Sequence, residues 1–100
     1  MSNLICLPKY NVVAYPGQRI YRIQIDRTCP DSTATEVVAQ VVEQNGTRYV
    51  PRNYYIKNSS NEVWDCTTSH GKKRPLNPGE LMPVKAGINV SISGGSFKIS

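Results

Sequence analysis

With one histidine, one tryptophan, one phenylalanine, three cysteines and seven acidic residues, this 100-residue chain is short of most side chains that chemistry requires. His70 has only Ser69 beside it, and adjacent residues cannot form the geometry of a nucleophile and its base, so it reads as a solvated loop residue. Cys66 and His70 stand at a Cys-x3-His spacing that two metal ligands can use, but a structural zinc takes four, and Cys6 and Cys29 lie far off in sequence. Three cysteines cannot all pair within one chain, and none are closely spaced, so free thiols are expected. The acidic residues are dispersed, with no pair that marks a general acid and base. The one Gly-rich stretch, "SGGS" at 93–96, precedes a strand-like tail where a phosphate loop needs a helix. No catalytic residue, cofactor or metal is therefore expected, and an enzyme is the least supported class.

Long hydrophobic runs are missing as well. Nothing approaches the roughly 20 apolar residues of a membrane span, and "MSNLICLPKY" at the start lacks the basic and apolar regions of a secretory signal. Sequons begin at Asn45, Asn58 and Asn89, but without an export signal they read as turn-rich sequence. The expected location is a soluble, reducing compartment such as the cytoplasm, or an assembled virion. The net charge of +5 raises the question of nucleic acid. Nine of the twelve basic residues are scattered, and only Lys72, Lys73 and Arg74 form a run, which reads as a solvated basic contact loop. "TRYVPRNYYIKN" interleaves Arg48, Tyr49, Arg52, Tyr54, Tyr55 and Lys57, yet ordinary strand alternation with a wet basic face accounts for it. Nucleic acid is not the expected partner.

What the chain does contain is β chemistry. One hundred residues suffice for one domain with one two-layer core. Val, Ile and Tyr dominate the apolar residues, and seven Gly with seven Pro supply tight turns, which predicts an all-β domain, a small β-sandwich of short antiparallel strands over 1–100. Pro16 and Gly17 suit the centre of a type II turn. In "RIYRIQIDR", Tyr21, Ile23 and Ile25 alternate with Arg22, Gln24 and Asp26, which predicts a half-buried strand. Residues 36–45 are ambiguous: Val37, Val38, Val41 and Val42 fall at helical spacing, with Thr33 and Glu36 as a capping box. Four β-branched residues, and Asn45-Gly46 before "TRYV", favour a hairpin, which predicts a strand over these residues. Pro51 then ends that second strand or marks it as an edge. Residues 67–80 hold Pro75, Pro78 and Gly79 and are expected to be a loop. Ile88, Val90 and Ile92 alternate with polar residues, and Gly94-Gly95 turns the chain into Phe97 and Ile99 as a terminal hairpin.

The stretch that organises the rest is "NYYIKNSSNEVWDC", Asn53 to Cys66: two strand-forming runs around a polar turn at 58–61, followed by the only tryptophan. Trp64 carries the largest apolar side chain and is the expected centre of the core.

From Tyr54 onward the pieces "YYIKNSSN", "EVWDC", "RPLNPGELMPV", "GINVSI" and "GGSFKIS" resemble the second half of a forkhead-associated domain. Such domains recognise phosphothreonine through an Arg, a Ser and His pair and an Asn followed by Gly. The resemblance implies a phosphopeptide site lined by Arg27, Ser59, Ser60 and Asn61. The match to that site is degenerate, since there is no Ser-x-x-His and Glu62 follows Asn61. The expectation is therefore a non-catalytic protein that acts by protein contact in a larger assembly, as a homo-oligomer. A capsid decoration protein of a phage virion is the concrete picture, and an FHA-like phosphopeptide-binding adaptor is the alternative. Six tyrosines in so short a chain suit contact surfaces, and residues 1–10 form a candidate contact arm.

Overall fold

Two antiparallel sheets face each other across a core centred on Trp64 in this computed structural model, which describes residues 3–44 and 53–100. In chain order the elements are β1 (Leu4–Cys6), β2 (Asn11–Val13), β3 (Arg19–Tyr21), α1 (Arg22–Ile25), β4 (Val37–Gln44), β5 (Asn53–Asn58), β6 (Trp64–Thr67), β7 (Lys73–Leu76), β8 (Leu81–Pro83), β9 (Asn89–Ile92) and β10 (Gly95–Ile99). One sheet runs β2-β1-β10-β9-β6-β7 and the other β3-β4-β5-β8, so the all-β expectation holds. No helix among the described residues is long and apolar enough to cross a membrane.

Period-two alternation sends Ile5, Val90, Phe97 and Ile99 inward from the first sheet to meet Ile20, Val41, Ile56 and Met82 from the second. Trp64 is fully buried, and its ring meets Phe97 edge-on at 5.7 Å and 90°, the arrangement that aromatic quadrupoles favour. The Asn53–Cys66 stretch is two strands and a turn, as expected, but the strands belong to different sheets, and the turn is where the chain crosses the sandwich. Residues 37–44 are a strand. Its partner is β5, with Val41 opposite Ile56 and Gln44 opposite Asn53. The expected turn at Asn45-Gly46, the strand "TRYV" and Pro51 lie outside the described residues. Leu4–Cys6, within the candidate arm, pairs with β2 and β10 inside its own chain, and Ile5 is fully buried.

Two sequence expectations are corrected. The strand predicted for "RIYRIQIDR" stops at Tyr21, and Arg22–Ile25 forms one helical turn. A register shift at Ile20/Tyr21 breaks the alternation, and Gln24 Oε1 accepts the Tyr21 N–H at 2.7 Å, closing that turn from its own side chain. The residues that reach the core are then Ile20 and Ile25, while Ile23 stays exposed. The second correction is the loop at 67–80, in which Lys73–Leu76 is β7 despite Pro75. A sheet edge tolerates proline wherever the missing N–H faces outward.

Close approach explains the Gly-Gly pair. Gly94, at φ +84°, occupies the second position of the two-residue β9–β10 turn, and a side chain there would strike Asp26. A Cβ at Gly95 would sit 2.6 Å from the Ile25 carbonyl oxygen, so this position is bare to let α1 dock on β10.

Candidate functional site

The turn that crosses the sandwich is built on a buried polar network. Asn58 is fully buried, and its Nδ2 donates to the Glu62 carbonyl (2.8 Å) and the Leu76 carbonyl (2.9 Å). Its Oδ1 accepts the Ser60 N–H (3.0 Å) and the Ser60 hydroxyl (2.6 Å). Ser60 Oγ in turn accepts from Trp64 Nε1 (3.1 Å) and from the Glu62 N–H (3.3 Å). A hydroxyl has one proton and two lone pairs, so Ser60 is saturated. Asn58 also closes the neighbouring turn, as its carbonyl accepts the Gly79 N–H and its N–H donates to the Glu80 carbonyl.

This network decides how Ser59, Ser60 and Asn61, expected from the sequence to line a phosphopeptide site, are presented. The antiparallel register brings the loops after α1, between β5 and β6 and between β9 and β10 to one end of the sandwich. There Ser93 N–H donates to Glu62 Oε1 at 2.9 Å, and Gly94 abuts Asp26. Arg27, Ser59 and Asn61 are exposed at that end, whereas Ser60 is turned inward to the network. Asp26 Oδ1 accepts from both the hydroxyl (2.7 Å) and the N–H (3.0 Å) of Thr28, and these bonds hold the carboxyl below its usual range. Glu62 stands at the same end, where its Oε1 accepts the Ser93 N–H, so two carboxylates lie on these loops. The structure brings the sequence-predicted loops together, turns the Ser60 hydroxyl inward and leaves Arg27, Ser59 and Asn61 exposed, with the carboxylates Asp26 and Glu62 next to Arg27 and Asn61 in the chain.

The run Lys72, Lys73 and Arg74 is not one loop. Lys73 and Arg74 are consecutive in β7, so their side chains leave opposite faces of that strand, and Lys72 precedes it. Across the hairpin Lys73 lies opposite Thr67, and Arg74 lies opposite Cys66. Cys66 is buried, and desolvation pushes its thiol up, with Arg74 acting weakly in the other direction. His70 is exposed in the β6–β7 turn. Among the described residues no three His, Cys, Asp or Glu side chains are grouped to hold a metal.

The sheet edges carry information that sequence reasoning missed. Each sheet has two edge strands whose outward N–H and C=O groups can recruit another strand unless they are blocked. On β7, the Thr68 N–H to Lys72 carbonyl bond sets the alternation, so Lys73 and Pro75 face outward, and Pro75 has no N–H to offer. On β8, the bonds from Asn58 N–H to the Glu80 carbonyl and from Val84 N–H to the Tyr54 carbonyl leave Leu81 and Pro83 facing outward, and Pro83 repeats the device. On β3, side chains do the same work: Gln24 takes the Tyr21 N–H, and Gln18 Nε2 donates to the Arg19 carbonyl at 3.1 Å.

β2 differs. Leu7 N–H donates to the Tyr10 carbonyl and Ala14 N–H to the Asn3 carbonyl, so Asn11 and Val13 face outward. Among the described residues nothing takes the Asn11 N–H, the Asn11 carbonyl or the Val13 N–H, and the Val13 carbonyl accepts only the Tyr15 N–H. Two of the most exposed large apolar side chains, Tyr10 at 48% and Tyr15 at 59%, flank this strand. The available sequence signal was "YNVVAY": a short β-branched run between tyrosines with no proline or lysine inside it. Compared with protein-family models, curated proteins and solved structures, the chain matches none.

Proposed function

We propose that this chain is a non-catalytic contact module, a subunit of a larger protein assembly in the manner of a capsid decoration protein. The observation that carries the reading is a contrast among the sheet edges: β7 and β8 each lose one outward N–H to proline and β3 has two outward groups bonded by glutamine side chains, whereas β2 keeps both of its outward N–H groups free among the described residues, between two exposed tyrosines. Edge strands invite strand addition, and their main-chain groups supply affinity while flanking side chains supply selectivity. Tyrosine suits that flank through its large apolar area, and on Tyr10 the hydroxyl is held by accepting from Gln24 Nε2 at 2.6 Å.

The rival reading is an FHA-like adaptor. It has in its favour the convergence of Arg27, Ser59 and Asn61 at one end of the sandwich, and against it the inward Ser60 hydroxyl and the carboxylates of Asp26 and Glu62. Native mass spectrometry of the protein released gently from its source separates the two. A particle of fixed stoichiometry supports the contact module. A chain that runs alone, and that binds a phosphothreonine peptide, supports the adaptor.

A further inference from the structure

We infer that β2 pairs with β2 of a second copy, antiparallel about a two-fold axis through Val12, so that the six-stranded sheets of two molecules join edge to edge. The inference rests on the contact reading above and names its partner. An open row of N–H and C=O groups specifies an extended strand as its occupant, and the pattern on β2 is complementary to itself. With the axis at Val12, Asn11 of each copy lies opposite Val13 of the other as a hydrogen-bonded pair. Each Val13 N–H then meets an Asn11 carbonyl, and each Asn11 N–H meets a Val13 carbonyl, which has a second lone pair beside the one given to Tyr15. This register satisfies every outward group that β2 leaves open, on both copies at once. A register centred on Asn11 would instead oppose Val13 to Lys9, which lies outside the strand in the β1–β2 turn.

The side chains agree with that register. Val12 is half-buried and packs on the core from the inner face, and at the axis it meets its own mate as a non-hydrogen-bonded pair, where side chains come closest. Tyr10 falls opposite the partner's Ala14, and exposed Tyr15 falls opposite the partner's Lys9. The contact is isologous and closes after two copies, which lets the other surfaces serve larger assembly.

The test copies the chain's own guard onto the open edge. In Val13→Pro the lost N–H bonds nothing within the monomer, so the fold is kept, while two intermolecular bonds vanish. Sedimentation equilibrium of the full chain from about 1 µM to 1 mM should show a monomer–dimer equilibrium limited at twice 11.1 kDa. Val13→Pro should weaken it about thirtyfold or more. Native Trp64 emission confirms that the variant is folded. If it is not, Asn11→Pro removes the reciprocal pair of bonds and should weaken the dimer similarly. A wild-type chain that stays monomeric throughout overturns the inference, and so does a dimer whose constant is unchanged in a folded proline variant. Either result leaves the contact module standing if the native particle keeps its stoichiometry, whereas a native chain that runs alone removes both.

Discussion

Replacing Asn58 with alanine should destabilise the protein far more than the loss of one surface amide. Four bonds end on that side chain, and their partners do not fare alike. The Ser60 hydroxyl can rotate to the Glu62 carbonyl, 3.2 Å away, and the Glu62 carbonyl is close enough to solvent to be rewetted. The Leu76 carbonyl and the Ser60 N–H are buried and have no substitute, and each stranded group costs about 1–3 kcal/mol. With a small cavity added, the expected loss is about 3 kcal/mol, a large share of the roughly 5–15 kcal/mol that a domain possesses. That corresponds to a fall in Tm of about 12–24 °C for a chain of this size. Trp64 is the only tryptophan and bonds directly to Ser60, so urea unfolding followed by its emission reads the network itself. Asn58→Ala and Ser60→Ala should be strongly non-additive, since they share bonds. A loss below about 1 kcal/mol for Asn58→Ala, or additive single variants, would refute the view that this network holds the two sheets at their crossing.

Four further outcomes follow from the same geometry. Trp64→Ala should cost about 3–5 kcal/mol in chemical denaturation, because it empties the core and removes one of the bonds that saturate the Ser60 hydroxyl. Gly95→Ala should cost about 1–3 kcal/mol through the clash with the Ile25 carbonyl, although Gly95 has no positive φ; a neutral result in thermal unfolding would show that α1 is not docked there. The three thiols should be free, with Cys6 and Cys29 reacting readily in the native protein and Cys66 only on unfolding. Because burial raises the Cys66 pKa, the folded state holds its proton longer than the unfolded chain does, so stability is intact below the unfolded thiol value and falls as pH rises toward the folded one. Cys66→Ala should lose that alkaline slope. A phosphothreonine peptide library should show no specific affinity, and Arg27→Ala should still assemble; low-micromolar binding that vanishes on dephosphorylation and in Arg27→Ala would favour the adaptor.

Where local chemistry and tertiary packing agreed, the sequence was legible. The β-branched run of β4 and the alternation of β9 and β10 declare strands because each buries one face. Pro16-Gly17 declares its turn, and Gly17 has φ +90° with Gln18 N–H donating to the Tyr15 carbonyl. The alternation of Tyr21, Ile23 and Ile25 misled because a side-chain amide three residues on competed for a backbone N–H, and periodicity carries no record of that. Pro75 misled because its position reads as a breaker until the edge of the sheet is known. Asn58 and Ser60 looked like surface turn residues for the same reason. Nothing in "NSSN" says that the turn crosses between sheets and is covered by Trp64. The open edge of β2 lay furthest from view, since an edge is defined by what fails to pair with it, and that depends on the whole topology.

If β2 is an interface, amide hydrogen exchange at Asn11 and Val13 reports it residue by residue. Both N–H groups point away from the sheet and have no partner among the described residues, so in dilute protein they should exchange at nearly the rate of an open chain. In concentrated protein and in the native particle, both should become protected together, while the exposed N–H of Arg27 stays fast. Rapid exchange at Asn11 and Val13 under every condition would mean that β2 pairs with nothing.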